Sequence, residues 1–164
     1  MTSFFIRRAR PEDYEALCAI FAEVDALHSE ALPEVFRKAD PPRTREFVSG
    51  IIADENAALF VAESGGAEQH PKVIGFVLAR IERSRDIPIM LPRRYAVIDD
   101  LAVLNRFQRR GVGLVLMEKV HQWASGKGVT QVELNVAEFN QGAIAFYERL
   151  GYKTRSRRMW KSLK

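Results

Sequence analysis

The residues best suited to chemistry form a short basic, glycine-containing run, Gln108-Arg109-Arg110-Gly111-Val112-Gly113, between a strand-like segment and a helix-like one. Glycine lets a backbone approach an anion closely, and the free N–H groups at a helix start point outward. Two flanking arginines add positive charge, so a phosphate or pyrophosphate is the expected guest. Spacing excludes two nucleotide loops. A P-loop needs Lys and then Ser or Thr after its last glycine, and Gly113 is followed by Leu114-Val115. A dinucleotide fingerprint needs a third glycine where Leu116 stands, and belongs near the start of its fold. A glycine helix start with no ligand fits the same residues.

Upstream, Val97-Ile98-Asp99-Asp100-Leu101 places two acids in mid-strand. Strand alternation sends them to opposite faces. An acid in a central strand is costly unless paired or near solvent, so at least one should be structural, capping a loop or pairing with an arginine. Downstream, Asn140 is of the type favoured just before a helix. Tyr147 either packs beside Ala143, Phe146 and Leu150 or offers a phenol, with a pKa near ~10, as a proton donor. His28 reads as a proton relay or as a cation at a helix end. His70 falls in a polar turn and His121 on an exposed helix face. Cys18 lies beside an apolar stripe, where packing is its expected role. No His/Cys/Asp/Glu cluster has metal-ligand spacing, so no metal is expected. No Ser–His–Asp or Cys–His arrangement is suggested either.

These groups need elements to hold them. Phe4-Phe5-Ile6-Arg7 reads as a first strand. Pro11, Glu12 and Asp13 suit a first helical turn, and Tyr14, Leu17, Ile20, Phe21, Val24 and Leu27 recur at helical spacing, predicting a helix over 11–27. Pro33, Pro41 and Pro42 break 28–42 into a loop with at most one helical turn. A second helix is predicted over 44–54, then a strand over 57–63, a turn from Ser64-Gly65-Gly66, and a hairpin partner over 73–81. A loop over 83–94 leads to a strand over 95–104. A helix over 111–125 ends at Gly126-Lys127-Gly128, and a strand over 130–136 follows. A helix over 140–150 is stopped by Gly151, and residues 152–163 form a final extended stretch. This α/β (α+β) order predicts one mixed sheet with helices on both faces. Strand–helix–strand over 95–136 implies a parallel pair with a right-handed crossover.

The run Q-x-x-G-x-G after a strand with a polar centre resembles the acetyl-CoA loop of the GNAT N-acetyltransferases. Asn140 to Tyr152 (NQGAIAFYERLGY) resembles that family's N-x-x-A-x-x-F-Y-x-x-x-G-[FY] helix. The two motifs stand in the family's order and spacing, and the element order matches over nearly the whole chain. The resemblance implies a single domain over 1–164 with the acyl-CoA N-acyltransferase (GNAT) fold, a mostly antiparallel twisted sheet. It implies a direct attack of a primary amine on acetyl-CoA. Asp99, or failing it Asp100, would accept the amine proton, and Tyr147 would protonate the leaving thiolate. Gln108, Arg109, Arg110, Gly111, Val112 and Gly113 would hold the pyrophosphate. The chain would bulge after the acids, and Leu101, Ala102 and Val103 would meet the pantetheine arm, as would Asn140, with Phe146 beside the cofactor. Asn105-Arg106-Phe107 departs from the family, many of whose members carry a proline there. The acceptor would lie against the loops 28–42 and 83–94, with His28 and Phe36 as named contacts. Polyamine-like amines, aminoglycosides, free amino acids, protein N-termini and lysine side chains all fit that reading. The resemblance also allows a homodimer through the final stretch.

Composition narrows the rivals. The chain has 164 residues, 47% hydrophobic and 28% charged, ordinary values for one globular unit. No apolar run approaches the ~18 residues of a membrane helix. The single cysteine permits no intrachain disulfide, and the N-terminus has no secretory pattern, so a cytoplasmic location is expected. The formal net charge is +4. Lys153, Arg155, Arg157, Arg158, Lys161 and Lys164 concentrate positive charge at the end, which suits either a half-exposed last strand or a nucleic-acid arm. Aromatic–basic interleaving of the RNA-binding kind is lacking, so no nucleic-acid partner is expected. A non-catalytic acyl-CoA-binding or sensor module would need the loop but neither Asp99 nor Tyr147.

Overall fold

The computed structural model describes residues 3–65 and 73–163, which fall into two units, Met1–Leu134 and Asn135–Lys164. The first unit begins with β1 (Phe4–Arg8), a 3-10 turn (Pro11–Asp13), α1 (Tyr14–Ala31) and α2 (Arg45–Ala53). It continues through β2 (Ala57–Ser64), β3 (Val73–Arg83), β4 (Arg94–Val103), a second 3-10 turn (Asn105–Phe107), α3 (Val112–Gly126) and β5 (Val132–Leu134). The second unit holds α4 (Gln141–Arg149) and the basic end.

The sheet is mixed, in the order β1-β2-β3-β4-β5. The first three pairings are antiparallel, and β4–β5, joined through α3, is parallel. Both faces of the sheet are apolar because helices cover both. Leu59 and Val61 of β2, Phe76 and Leu78 of β3 and Ala102 of β4 pack with Leu17, Ile20 and Phe21 of α1 and Val48 of α2. Phe60 points the other way, where Lys119 of α3 lies 5.9 Å from its ring centre. On that face Ala96 of β4 packs with Ala124 and Val129.

Side chains fix the ends of the helices. Arg7 binds Asp13 through two nitrogens at 2.7 and 2.8 Å and also pairs with Glu63, while the Arg10 N–H donates to Asp13 at 2.7 Å. This ties β1, the entry to α1 and β2 together. Thr44 accepts from the Phe47 N–H at 3.1 Å and starts α2.

Three elements differ from the sequence expectation. α1 runs to Ala31, because Pro33 is the first residue that must stop it, so His28 lies in its last turn rather than in a loop. β5 has three residues, shorter than the 130–136 strand. Residues 152–163 make no strand pairing among the described residues, and 153–163 are exposed. Alternation there sets Lys153, Arg155 and Arg157 against Thr154, Ser156 and Arg158, and the exposed Met159 and Leu163 against Trp160, so no continuous apolar face forms. His70 and Gly66 lie outside the described residues.

Candidate functional site

The two acids of β4 sit at a break in the ladder. Asp100 pairs with Leu78 and Ile98 with Ala79, so Asp99 is the extra residue of a β-bulge. The bulge therefore falls on the first acid, two residues before the Leu101–Val103 stretch expected to carry it. It also overturns simple alternation. Ile98 shares a face with Ala79, on the α3 side. Asp100 shares a face with Leu78, and Ala102 with Phe76, both in the α1 cluster. Asp99 reaches Arg80, two residues from Leu78 on that same face, with contacts of 2.6 and 2.9 Å. Both acids thus serve the α1 side of the sheet.

Their surroundings differ. Asp99 is held two-pronged by Arg80, whose guanidinium it pushes above its ordinary value. Asp100 is half-buried. Burial pushes its carboxyl up, Arg43 pulls it back, Asp99 and Asp25 add to the rise, and His28 opposes it. The net direction is upward, so Asp100 holds its proton at higher pH than an ordinary aspartate.

The bulge coincides with the end of the parallel pairing. β4 and β5 are paired at Ala96–Val132, Val97–Glu133 and Ile98–Leu134 and no further. Arg93 locks the near end, bonding Gln131 at 2.9 Å and Glu133 at 2.6 Å and lying 4.3 Å from the Tyr95 ring centre. Past the bulge, Leu101, Ala102 and Val103 have sheet partners only on β3 among the described residues. A strand unpaired on one side offers alternate N–H and C=O groups to an extended ligand.

That strand runs into the basic loop. Gln108 donates its side-chain amide to the Val103 carbonyl and to Asn105 Oδ1, each at 3.0 Å. Its amide nitrogen therefore shapes the loop from within. The Asn105 N–H donates to Glu23 Oε2 at 3.1 Å, which ties the loop to α1. Arg106 and Arg110 lie 5.0 and 5.6 Å from the Phe107 ring centre. Arg109 has φ of 59° and Gly111 has φ of 82°, both in the left-handed region. A Cβ on Gly111 would meet nothing within 4 Å, so glycine is needed there for its backbone and not for space. No side chain caps α3 and no acid stands in its first turn. The residues present fit a phosphate group: an uncapped helix start with its positive dipole end, flanked by arginines.

On the acceptor side the structure brings His28 and Phe36 together, ring centres 5.5 Å apart and edge to face. The His28 ring Nδ1 lies 2.9 Å from the Val24 carbonyl. Nearby, Cys18, Ala22, Asp25, Lys38, Asp40 and Pro42 line an open cleft of about 370 Å³ between α1 and the loop before α2. Cys18 also packs against the α1 core cluster. His121 is half-buried, not exposed, and burial pushes its imidazole down. Among the described residues no group of three or more His, Cys, Asp or Glu could hold a metal ion. Among the described residues no helix is long and apolar enough to cross a membrane.

In the second unit Asn140 caps α4, its Oδ1 accepting from the Ala143 N–H at 3.1 Å. Phe146, Tyr147 and Tyr152 form a row, with ring centres 5.4 and 5.8 Å apart. Gly151, with φ of 87°, turns the chain so that the Tyr152 N–H donates to the Tyr147 carbonyl at 3.1 Å. Burial pushes the Tyr152 phenol well above its ordinary value, and Tyr147 adds to the rise.

Arg43, Asp25 and Arg80 are the charged neighbours of the acids that sequence reasoning did not name. Arg43 and Asp25 are far apart in sequence and share no motif. Only the cost of two adjacent mid-strand acids signals that such partners must exist.

Comparison with known proteins converges on one family. The model of the acetyltransferase (GNAT) family matches residues 21–152. An uncharacterized N-acetyltransferase of Methanocaldococcus jannaschii is 32% identical over 109 residues, covering 66% of this chain and 45% of its own length. This chain thus spans less than half of that relative. The mouse thialysine N-epsilon-acetyltransferase is 26% identical over 155 residues, 92% of this chain and 85% of its own. Among solved structures, a Bacillus halodurans protein superposes with a TM-score of 0.89 at 24% identity, covering 98% of this chain and 99% of its own. An aminoglycoside N-acetyltransferase in complex with CoA gives a TM-score of 0.71 at 19% identity, covering 100% and 97%.

Proposed function

The chain belongs to the acetyltransferase (GNAT) family, and from that premise we propose that it moves the acetyl group of acetyl-CoA onto a primary amine. The observation that carries this reading is the path from the bulged strand into the uncapped, arginine-flanked start of α3. The backbone of Leu101, Ala102 and Val103 would take the pantetheine amides. Arg109 to Gly113 would take the pyrophosphate, with Gln108 holding their loop in shape. Asn140 and Phe146 complete the cofactor set by resemblance to the family helix.

The amine nitrogen attacks the thioester carbonyl, a C–N bond forms, and the C–S bond breaks. A lysine-type amine, with a pKa near ~10.4, arrives protonated and must lose that proton to attack, and then a second one. Of the two acids, Asp100 is the better base. Asp99 is occupied by Arg80, whereas burial raises the proton affinity of Asp100 above that of an ordinary aspartate. The thiolate takes a proton from Tyr147, a role that rests on the F-Y motif. His28 and Phe36 would face the acceptor.

The test is a thermal-shift titration with acetyl-CoA, CoA and NADH, followed by thiol release over an amine panel. A ligand of ~10 µM affinity at ~1 mM adds about 2.7 kcal/mol. The expected result is a CoA-specific shift with thiol release on one amine class. A CoA shift without release on any amine supports a non-catalytic acyl-CoA-binding module instead. No CoA shift sinks the reading of the loop. Asp100→Asn should lower turnover far more than Asp99→Asn, and Tyr147→Phe should lower turnover with CoA affinity nearly intact. An acid whose folded pKa is raised loses stability as pH rises through that value, so Asp100→Asn should also be the more stable protein at pH 8.

A further inference from the structure

The loop between β3 and β4 turns its aliphatic residues to water. Ile87 is 44% exposed, Ile89 89% and Leu91 81%. Pro88 and Pro92 are exposed beside them. The loop is tied along its length. The Ser84 N–H donates to the Arg93 carbonyl at 2.9 Å. The Ser84 hydroxyl accepts from the Arg93 N–H at 2.9 Å and donates to the Leu91 carbonyl at 3.0 Å. The Met90 N–H donates to the Ile87 carbonyl at 2.9 Å and shapes the tip. An exposed apolar patch with a polar rim marks an interaction surface.

Charge is sorted along this loop. Residues 87–92 are uncharged, whereas Arg83, Arg85, Arg93 and Arg94 stand at the base with Glu82 and Asp86. Arg83 lies directly opposite Arg94 in the ladder, so two cations share one face of the sheet, which is unfavourable without an anion. Arg94 is fixed there by a 2.6 Å bond to the Lys127 carbonyl. Among the described residues Arg83 and Arg85 have no acid partner. Glu82 lies 3.8 Å from Arg80. Together with Asn56 and Ile81, the residues Glu82, Arg83 and Arg94 line an open cleft of about 340 Å³.

We propose that the 84–93 loop docks on an anionic lipid surface: its aliphatic tip enters the acyl boundary, and Arg83, Arg85 and Arg94 meet headgroup phosphates behind it. An apolar tip backed by cations follows the order of chemistry across a membrane interface. A second copy fits less well, because apposed tips would bring two arginine bases together. A protein partner also fits less well, since the tip carries no Tyr, Trp or Phe to anchor it. Such a contact needs no membrane-spanning helix. The loop leaves β4 at Arg94, whereas the cofactor reading uses the Val103 end, so each can fail without the other.

The experiment is co-sedimentation of the full chain with vesicles of phosphatidylcholine alone and of phosphatidylcholine and phosphatidylglycerol in equal parts. Binding is expected to the mixed vesicles and not to phosphatidylcholine. Ile89→Ser and Leu91→Ser leave the charge unchanged and should each weaken binding about tenfold. Arg83→Gln should weaken it about fivefold. All three side chains are exposed, so each variant should melt at the wild-type temperature and a loss of binding is not a loss of fold. No binding to the mixed vesicles overturns the proposal. Binding that both serine variants retain in full also overturns it, because the contact then lies in the charge of another segment, such as the basic end. A thermal shift with inorganic phosphate equal to that with the mixed vesicles, and unchanged in Ile89→Ser, makes the cleft a free-anion site. A wild-type dimer that ignores the vesicles and is dispersed by Ile89→Ser makes the tip a contact between copies. Either result overturns the lipid assignment.

Discussion

At Gly75 β3 closely approaches β4, opposite Val103 at the end of the strand that leads to the basic loop. A Cβ there would lie 2.8 Å from the Ala102 carbonyl oxygen, 3.1 Å from Val103 Cγ2 and 3.3 Å from Val103 Cα. The first neighbour is backbone and has no rotamer to change, so Gly75→Ala forces the strands apart. Overpacking of this kind costs about 1–3 kcal/mol. The narrower unfolded ensemble of alanine offsets about 0.4–1 kcal/mol. A net loss of about 1–2 kcal/mol should lower Tm by about 3–6 °C in a chain of this size. Gly50→Ala in α2 is the matched control. A Cβ there meets nothing within 4 Å, so helix propensity alone acts and about 0.5–1 kcal/mol is gained. Urea melts of both variants read the two signs. The CoA-induced thermal shift should also shrink in Gly75→Ala, because the displaced segment is Ala102–Val103. A Gly75→Ala protein as stable as wild type, with its CoA response intact, would refute the argument that this close approach shapes the site.

Two further predictions concern the frame. Burial pushes the Asp13 carboxyl up, but the Arg7 guanidinium and the Arg10 N–H outweigh it and leave the carboxyl below its ordinary range. A depressed pKa contributes stability above the unfolded value, near ~3.9, that is lost as pH falls through the folded one. Asp13→Asn should therefore cost about 1–3 kcal/mol at pH 7 and flatten the loss of urea midpoint between pH 4 and pH 2; parallel curves for the two proteins contradict this. Asn140→Ala removes the cap of α4 and should cost that helix about 1 kcal/mol. Hydrogen exchange at the Ala143 amide should speed up accordingly, and an unchanged rate rules the cap out.

Much of this was legible in the sequence, for physical reasons. Helical spacing from Tyr14 to Leu27 and the paired apolar runs of β2 and β3 are local signals, and they give α1 and the hairpin. The glycine of the basic loop and the Asn before α4 are also local, and they mark the two helix starts. What failed was long-range. The bulge at Asp99 needs no glycine or proline, so nothing in Val97–Leu101 announces it, and alternation put the acids on opposite faces. The extension of α1 past Leu27 goes beyond the last residue of the apolar stripe, and only Pro33 marks where the helix must stop. The basic end alternates in charge alone over 153–158, and its apolar residues, Met159, Trp160 and Leu163, fall on both sides of the strand pattern, so neither side is a continuous apolar face. Arg80 and Arg43 are visible only once the sheet and α1 are assembled.

Both halves of β4, before and after the bulge, alternate between two cores. Ala96 and Ile98 face the α3 side, and Ala102 faces the α1 side. A hairpin that slid one position along β3 would send each set to the opposite face, against helices it does not fit, so slippage, the usual hazard of a long hairpin, is opposed on both faces. The same arrangement governs how such a chain can change over generations. Deleting Asp99 would close the bulge with Ile98 still opposite Ala79 and Asp100 still opposite Leu78, so the strand would keep its faces and lose the carboxylate that Arg80 holds. A deletion elsewhere in β4 would invert every side chain beyond it, so there variation has to proceed by substitution at fixed length.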